Sequence, residues 1–327
     1  MFKLLTSSKG WDGQPSDHFD GTRFFNRVKT QKSWADFRKW QRERVPAKWQ
    51  KRDNNPYPLP PERVGEGELL ITVIGHATVL VQADGMNWLT DPLWSQYASP
   101  VQFAGPKRYR APAIAIQDLP PIDGVLLSHN HYDHLDAPTL KKLAKRDNPL
   151  IVTGLGNRQT LVDCGCTRVV ELDWWQSHTL PNGQQVIATP AQHWSKRTLK
   201  DTNRSLWVGL SLSTPSGAIF FAGDTGYGEH FAEIHTKLGA PRCSLLPIGA
   251  YKPRWFLQNM HMNPDDAVRA HQDLKSRHSV SIHFGTFQLT DEGMDEPVVD
   301  LATAQLEHQV TAQDFIVPDF GQTYAVP

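Results

Sequence analysis

Cysteine is scarce. The chain has three, at positions 164, 166 and 243 of 327, too few and too odd a number for a disulfide framework. That usage reads as reduced thiols in a reducing, cytoplasmic compartment. A chain of this length buries roughly 75% of the surface that its unfolded form exposes, so its core needs no covalent staple. Net charge is also missing, because 34 Lys and Arg balance 34 Asp and Glu. That argues against nucleic acid as a partner, for which the surface would be basic. No run of about 18 apolar residues occurs, so no membrane-spanning helix is expected. The apolar stretch within residues 1–13 is too short for the apolar segment of a secretory signal. Internal repeats and low-complexity segments are absent. What is present, at 39% hydrophobic and 21% charged residues, is the composition of a globular chain of one large or two medium domains.

Texture divides the chain near residue 66. Residues 1–66 form an N-terminal extension without strand periodicity, ending in a Pro-rich stretch at 54–62 that should run extended. Within it, residues 29–52 carry nine Lys and Arg against Asp36 and Glu43, with Trp34, Phe37, Trp40 and Trp49 interleaved. Two readings fit this segment. It wraps on the following domain with aromatics inward and charges outward, or it lies peripherally on an anionic membrane surface. Residues 67–327 form the second unit. Closely spaced apolar runs at 70–74, 78–82 and 86–90 predict an antiparallel meander, and 124–127 a buried strand. Beyond His134, helical and strand patterns alternate. Asp136 before Pro138, Leu140 and Leu143, and Asn263 before Pro264, Ala267, Ala270, His271 and Leu274, read as helix starts. Strand-like runs recur at 169–172, 186–188, 206–212, 218–222, 244–247 and 280–283. The expected class is α/β, two packed sheets flanked by helices.

The segment that carries chemistry is Ser128-His129-Asn130-His131-Tyr132-Asp133-His134. It puts three imidazoles and a carboxylate into six residues directly after a buried strand. Such a cluster has no place in a core, where each group would need its own desolvated partner. A metal ion supplies one, and nitrogen and carboxylate oxygen are what Zn²⁺ takes when thiolate is absent. His129 and His131 are two apart and point to one side of an extended backbone. Asp133 and His134 follow the turn and point elsewhere, so one turn serves two metals. The further ligands needed have candidates just beyond predicted strands: His193, Asp224 in Gly-Asp-Thr-Gly, and His283.

That order of ligands resembles the metallo-β-lactamase superfamily. The flanking segments at 99–110, 118–123, 171–175, 192–199, 247–256, 261–264 and 283–287 are similar to those of the N-acyl-phosphatidylethanolamine-hydrolysing phospholipase D family. The resemblance covers roughly residues 57–320. It implies a four-layer αββα sandwich with two zinc ions at one edge of the sheets. One ion would be held by His129, His131 and His193, the other by Asp133, His134 and His283, with Asp224 bridging both. No ligand position departs from the family pattern.

Two such metals share a water, lower its pKa from 15.7 toward roughly 7 and stabilise charge developing on phosphorus. The expected activity is a phospholipase D-type phosphodiesterase releasing N-acylethanolamine and phosphatidic acid by a bridging hydroxide. A lactonase or a soluble small-molecule phosphodiesterase of the same fold is the alternative. His261 is the expected proton donor or substrate-oxygen contact. Asp91 and His76 are expected to orient ligand imidazoles. Arg108, Lys196, Arg197 and Arg254 are candidates for a substrate phosphate. Trp255, with Trp174, Trp175 and Trp194, is a candidate for an acyl-chain groove. The sequence permits a homodimer.

Overall fold

Alternation of apolar side chains between two faces organises the molecule. In the computed structural model, which describes residues 9–28 and 32–327, helix α1 (Trp34–Glu43) precedes strands β1 (Leu69–Gly75), β2 (Thr78–Ala83), β3 (Met86–Thr90) and β4 (Gly124–Leu127). Next come α2 (Ala137–Arg146), β5 (Leu150–Gly154), α3 (Arg158–Asp163) and β6 (Val169–Leu172). The second half runs β7 (Ser177–Thr179), β8 (Gln185–Thr189), β9 (Gly209–Thr214), β10 (Gly217–Phe221), α4 (His230–Leu238), β11 (Cys243–Pro247), α5 (Arg254–Leu257) and α6 (Pro264–Leu274). It closes with β12 (His278–Ile282), α7 (Glu296–Glu307), β13 (Phe315–Ile316) and β14 (Thr323–Ala325).

Two seven-stranded sheets result, in the orders β14-β1-β2-β3-β4-β5-β6 and β13-β12-β11-β10-β9-β8-β7. Each starts antiparallel and turns parallel, at β3/β4 and at β10/β11. Val79, Val81, Leu126 and Val152 face the layer shared with Val186, Leu210, Leu212 and Phe221 of the second sheet. Their neighbours Leu80, Val125, Leu127 and Ile151 face a separate cluster with Leu140 and Leu143 of α2 and Leu161 of α3. Period-two alternation thus covers both faces of the first sheet. On the far side of the second sheet, Phe231 of α4, Ala267 and Leu274 of α6 and Leu301 of α7 join the main core. The layers are those of an αββα sandwich.

The predicted meander at residues 70–90 is present as β1–β3. Asn263 caps α6 with a reciprocal Asn263–Asp266 capping box. Asp136 precedes α2 but makes no cap hydrogen bond; its carboxylate binds Ser95 and Thr139 instead. The strand expected over 206–212 begins only at Gly209. Residues 206–208 leave the sheet because Leu206 N–H donates to Leu155 O (2.8 Å) and Val208 N–H to Ser128 O (3.0 Å), tying one sheet to the other. The extension contains α1, started by a Ser33–Asp36 capping box and burying none of its residues. Residues 1–8 and 29–31, which carry the apolar N-terminal stretch and the head of the basic segment, lie outside the described residues. Among the described residues no helix is long and apolar enough to cross a membrane.

Candidate metal centre

Four strands end at one edge of the two sheets, and each carries ligand-type residues just past its end. The turn after β4 supplies His129, His131, Asp133 and His134; the loop after β8 supplies His193, the loop after β10 Asp224, and the residue after β12 His283. Close approach depends on Gly223. Its φ is +61°, and a Cβ there would lie 2.5 Å from the Ser128 Cβ, so only glycine lets the Asp224 loop rest against the β4 turn.

Four overlapping donor groups form among the described residues, and two of them split the β4 turn between them. His129, His131 and His193 each offer one nitrogen, all mutually within 4.8 Å; His76, His134 and His283 with one nitrogen each and Asp133 with an oxygen meet the same limit, as do Asp91 with His129 and His134, and Asp224 with His193 and His261. His129 Nε2 is 2.8 Å and His193 Nε2 3.2 Å from His131 Nδ1. Asp224 stands between the groups. Its Oδ2 is 3.1 Å from His134 Nε2 and 3.7 Å from His193 Nε2, and its Oδ1 is 3.2 Å from His283 Nε2. His261 lies beside it, with Nδ1 3.8 Å from Asp224 Oδ2.

The outward nitrogens of His129, His134 and His193 are held. Asp91 Oδ2 accepts from His134 Nδ1 at 2.6 Å and from Ser128 Oγ at 2.6 Å, while its Oδ1 accepts from Ser128 N at 2.8 Å. Ser128 Oγ is in turn 2.9 Å from His129 Nδ1, and His193 Nδ1 lies 2.9 Å from Met260 O. Such contacts fix the tautomer and aim the opposite nitrogen inward. His76 Nε2 sits 3.2 Å from Asp133 Oδ2, and its carbonyl accepts from His283 N at 2.9 Å.

Electrostatics separate the two groups. Burial drives His129 and His193 well below the ordinary imidazole range and His131 down to about 4. Burial opposes charge on His134 and His283 too, but there Asp224 and Asp133 outweigh it. His134 is raised well above its ordinary value and His283 to about 9. Asp133 and Asp224 are likewise held well below the carboxylate range, because His134 and its neighbours outweigh their burial. Burial lowers His261 to about 4. The residues fit cations. His134 Nε2 and His283 Nε2 are buried at ion-pair distance from the Asp224 carboxylate, yet they and Asp224 Oδ1 are out of hydrogen-bond alignment among the described residues, an arrangement that shared metal coordination would relieve.

Several expected substrate contacts lie elsewhere. Arg108 is buried, donating from Nη2 to Leu93 O (2.7 Å) and from Nε to Ser95 O (3.1 Å), with its guanidinium over the Phe287 ring. Buried Arg197 donates from Nη1 to Asn130 O (2.8 Å) and Leu135 O (2.9 Å). It braces the metal turn from behind. Loop carbonyls without strand partners need donors, and a guanidinium reaches several at once. Arg254 binds His261 O and Asp266. Lys196 is half-buried. Trp255 lies at the surface under Lys39 of α1. Trp174 is buried and covered by His18, whose ring stacks on it at 4.1 Å, so it lines no open groove; Trp194 lies beside His131. Asn26 in the extension, unanticipated from sequence, binds the His193 backbone. A loop asparagine so far from its partner carries no sequence signal.

The family model described as Beta-lactamase superfamily domain matches residues 86–284. Over 273 residues the chain is 38% identical to N-acyl-phosphatidylethanolamine-hydrolyzing phospholipase D 1 of Caenorhabditis elegans, covering 79% of this chain and 76% of that protein. It is 37% identical over 232 residues to the mitochondrial N-acyl-phosphatidylethanolamine-hydrolyzing phospholipase D of Saccharomyces cerevisiae, covering 69% of this chain and 49% of that protein. The fold is similar to that of a metallo hydrolase from Ignicoccus hospitalis, with a TM-score of 0.60 at 21% identity, covering 80% of this chain and 99% of that one. Identity at this level along most of a relative's length, on a fold whose strand ends gather this donor set, makes the chain a metallohydrolase of the metallo-β-lactamase superfamily, in the family of N-acyl-phosphatidylethanolamine-hydrolysing phospholipases D.

Proposed function

We propose that the chain is a dinuclear zinc phosphodiesterase that hydrolyses N-acyl-phosphatidylethanolamine to phosphatidic acid and an N-acylethanolamine. The observation that carries this reading is Asp224, whose Oδ2 lies 3.7 Å from His193 of one group and 3.1 Å from His134 of the other, while its Oδ1 lies 3.2 Å from His283 of that second group. A single carboxylate between two imidazole groups suits a pair of cations. His129, His131 and His193 would hold one ion, Asp133, His134 and His283 the other, and Asp224 both. When bound, the metals supply a water activated near neutral pH and polarise a phosphoryl oxygen.

The chain's own residues do the rest. Asp91 and Ser128 keep His134 and His129 aimed inward. His261, kept neutral by burial, offers a hydrogen bond to a substrate oxygen, and Arg254 fixes it through its carbonyl. Exposed Trp34, Phe37 and Val45, among the cations of α1 and its flanks, suit the surface of an anionic bilayer. Trp40 of α1 stacks on Phe256 of α5 at 5.0 Å, and α5 leads directly to His261. A lipid presented at α1 would thus arrive beside the site.

The test is mass spectrometry of the products from N-acyl-phosphatidylethanolamine in mixed micelles with zinc-loaded protein, run beside a soluble chromogenic phosphodiester. Both lipid products are expected in equal amounts. Turnover of the soluble ester alone, with the lipid intact, would move the assignment to the soluble phosphodiesterase.

A further inference from the structure

We propose that Asn26 is a positioning residue of the metal centre, and that residues 9–28 are a strap that holds His193 in its ligating pose. The inference rests on His193 being a metal ligand, as in the reading above.

His193 lies in the loop between β8 and β9, so no sheet ladder serves its backbone. Asn26 serves it instead. Asn26 Nδ2 donates to His193 O at 2.7 Å, and Asn26 Oδ1 accepts from His193 N at 3.1 Å. One carboxamide thus does for a loop residue what a neighbouring strand does for a sheet residue, being donor and acceptor at once. The carboxamide is itself fixed, because Oδ1 also accepts from Trp207 Nε1 at 2.9 Å, and that indole donates to Ala191 O at 3.0 Å. On its other side the His193 loop is tied to the Asp224 loop. Gln192 N–H donates to Thr225 Oγ1 and Gly226 N–H to Gln192 O, each at 2.9 Å. Asn26 therefore supports the His193 backbone from outside the ligand loops, as Met260 O does its ring.

The strap has its own anchors. Phe19 and Phe24 are buried in the main core. Trp11 N–H donates to Arg204 O at 2.9 Å and Phe24 N–H to Asn203 O at 2.7 Å. His18 Nε2 lies 2.7 Å from Asp173 Oδ1, and Arg27 pairs with Glu233. The strap itself, residues 9–28, lies outside residues 86–284, the part matched by the superfamily domain. The ligand set is complete within that part, but the support of His193 is not.

The test is cobalt(II) titration of the metal-depleted full chain, followed by the visible absorption of the bound ion, with a thermal melt alongside. Asn26→Ala is expected to bind one of two ions about 10–100-fold more weakly and the other unchanged. Asn26→Asp has the same shape and keeps the acceptor, but sets a carboxylate oxygen against the His193 carbonyl. It should weaken the same single ion, and it carries the test if the alanine variant does not fold. Two ions bound at unchanged affinity in the folded variants would overturn the inference. So would parallel weakening of both ions together with a lowered melting temperature, which marks a merely structural residue. Wild-type chain that takes up no cobalt would instead overturn the metal reading, and that result is read before either variant.

Discussion

The two halves of the molecule repeat one sheet plan yet place their candidate ligands in opposite ways. The first half concentrates His129, His131, Asp133 and His134 in one turn after β4. The second half spends three separate strand ends on His193, Asp224 and His283. A contiguous turn is set by local backbone geometry and braced by Asp91 at Ser128 and His134 and by Arg197 at the Asn130 and Leu135 carbonyls. Scattered ligands are set by the packing of whole strands and by distant supports such as Asn26 and Met260.

The largest test of that contrast is Asp224→Ala. Because this one carboxylate faces both ligand groups, both metals should be lost and turnover should fall about 1,000-fold or more, read by metal analysis and product formation. Two metals retained with near-normal turnover would break the contrast. Next is pH. In the metal-free protein Asp224 and Asp133 overcome burial to hold a proton on His283 up to about pH 9 and raise His134 as well. Those protons must leave before the rings can ligate. Lowering pH from about 8 to about 6 should therefore weaken this site's metal affinity about tenfold per unit for each proton displaced. The His129, His131 and His193 group is already neutral there and should stay flat, which calorimetric titration at several pH values will separate. A smaller effect is expected of Asp91→Asn, which removes the charge behind His134 and should weaken metal binding about 10–100-fold. Least affected is Trp34→Ser on exposed α1. Its unfolding free energy should stay within about 0.5 kcal/mol of the parent, while sedimentation with anionic liposomes falls and the binding that remains keeps its sensitivity to salt, because the cations are untouched.

How much of this could be read from sequence follows the same contrast. The β4 turn is legible because four ligand side chains within six residues have no other physical explanation. His193, Asp224 and His283 are legible only jointly, as polar residues at successive strand ends. Asn26 is not legible, because its partner is 167 positions away and its role lies in a fold-dependent backbone contact. Arg108 and Arg197 are misread from sequence for a related reason. A cation in a loop suggests an outward charge, but here loop carbonyls draw the guanidinium inward. Strand β5 escapes notice as a short apolar run after a helix, and β13 and β14 are only two and three residues long. Helix α1 carries an aromatic stripe at helical spacing, Trp34, Phe37 and Trp40, but it buries none of its residues, so the segment reads as a wrapping or membrane-facing extension.

The pairing of β14 with β1 bears on how the molecule is made. Thr72 and Thr323 share a hydrogen bond across 251 positions, and Leu70, Ile71 and Thr72 take their outer ladder partners from Ala325, Tyr324 and Thr323. On the ribosome β1 emerges early but waits with an open edge until β14, whose Thr323 lies 251 positions after Thr72, has been synthesised. Through that interval β1 offers unpaired backbone groups to any passing strand. The nascent chain therefore needs shelter at its beginning until its last strand arrives.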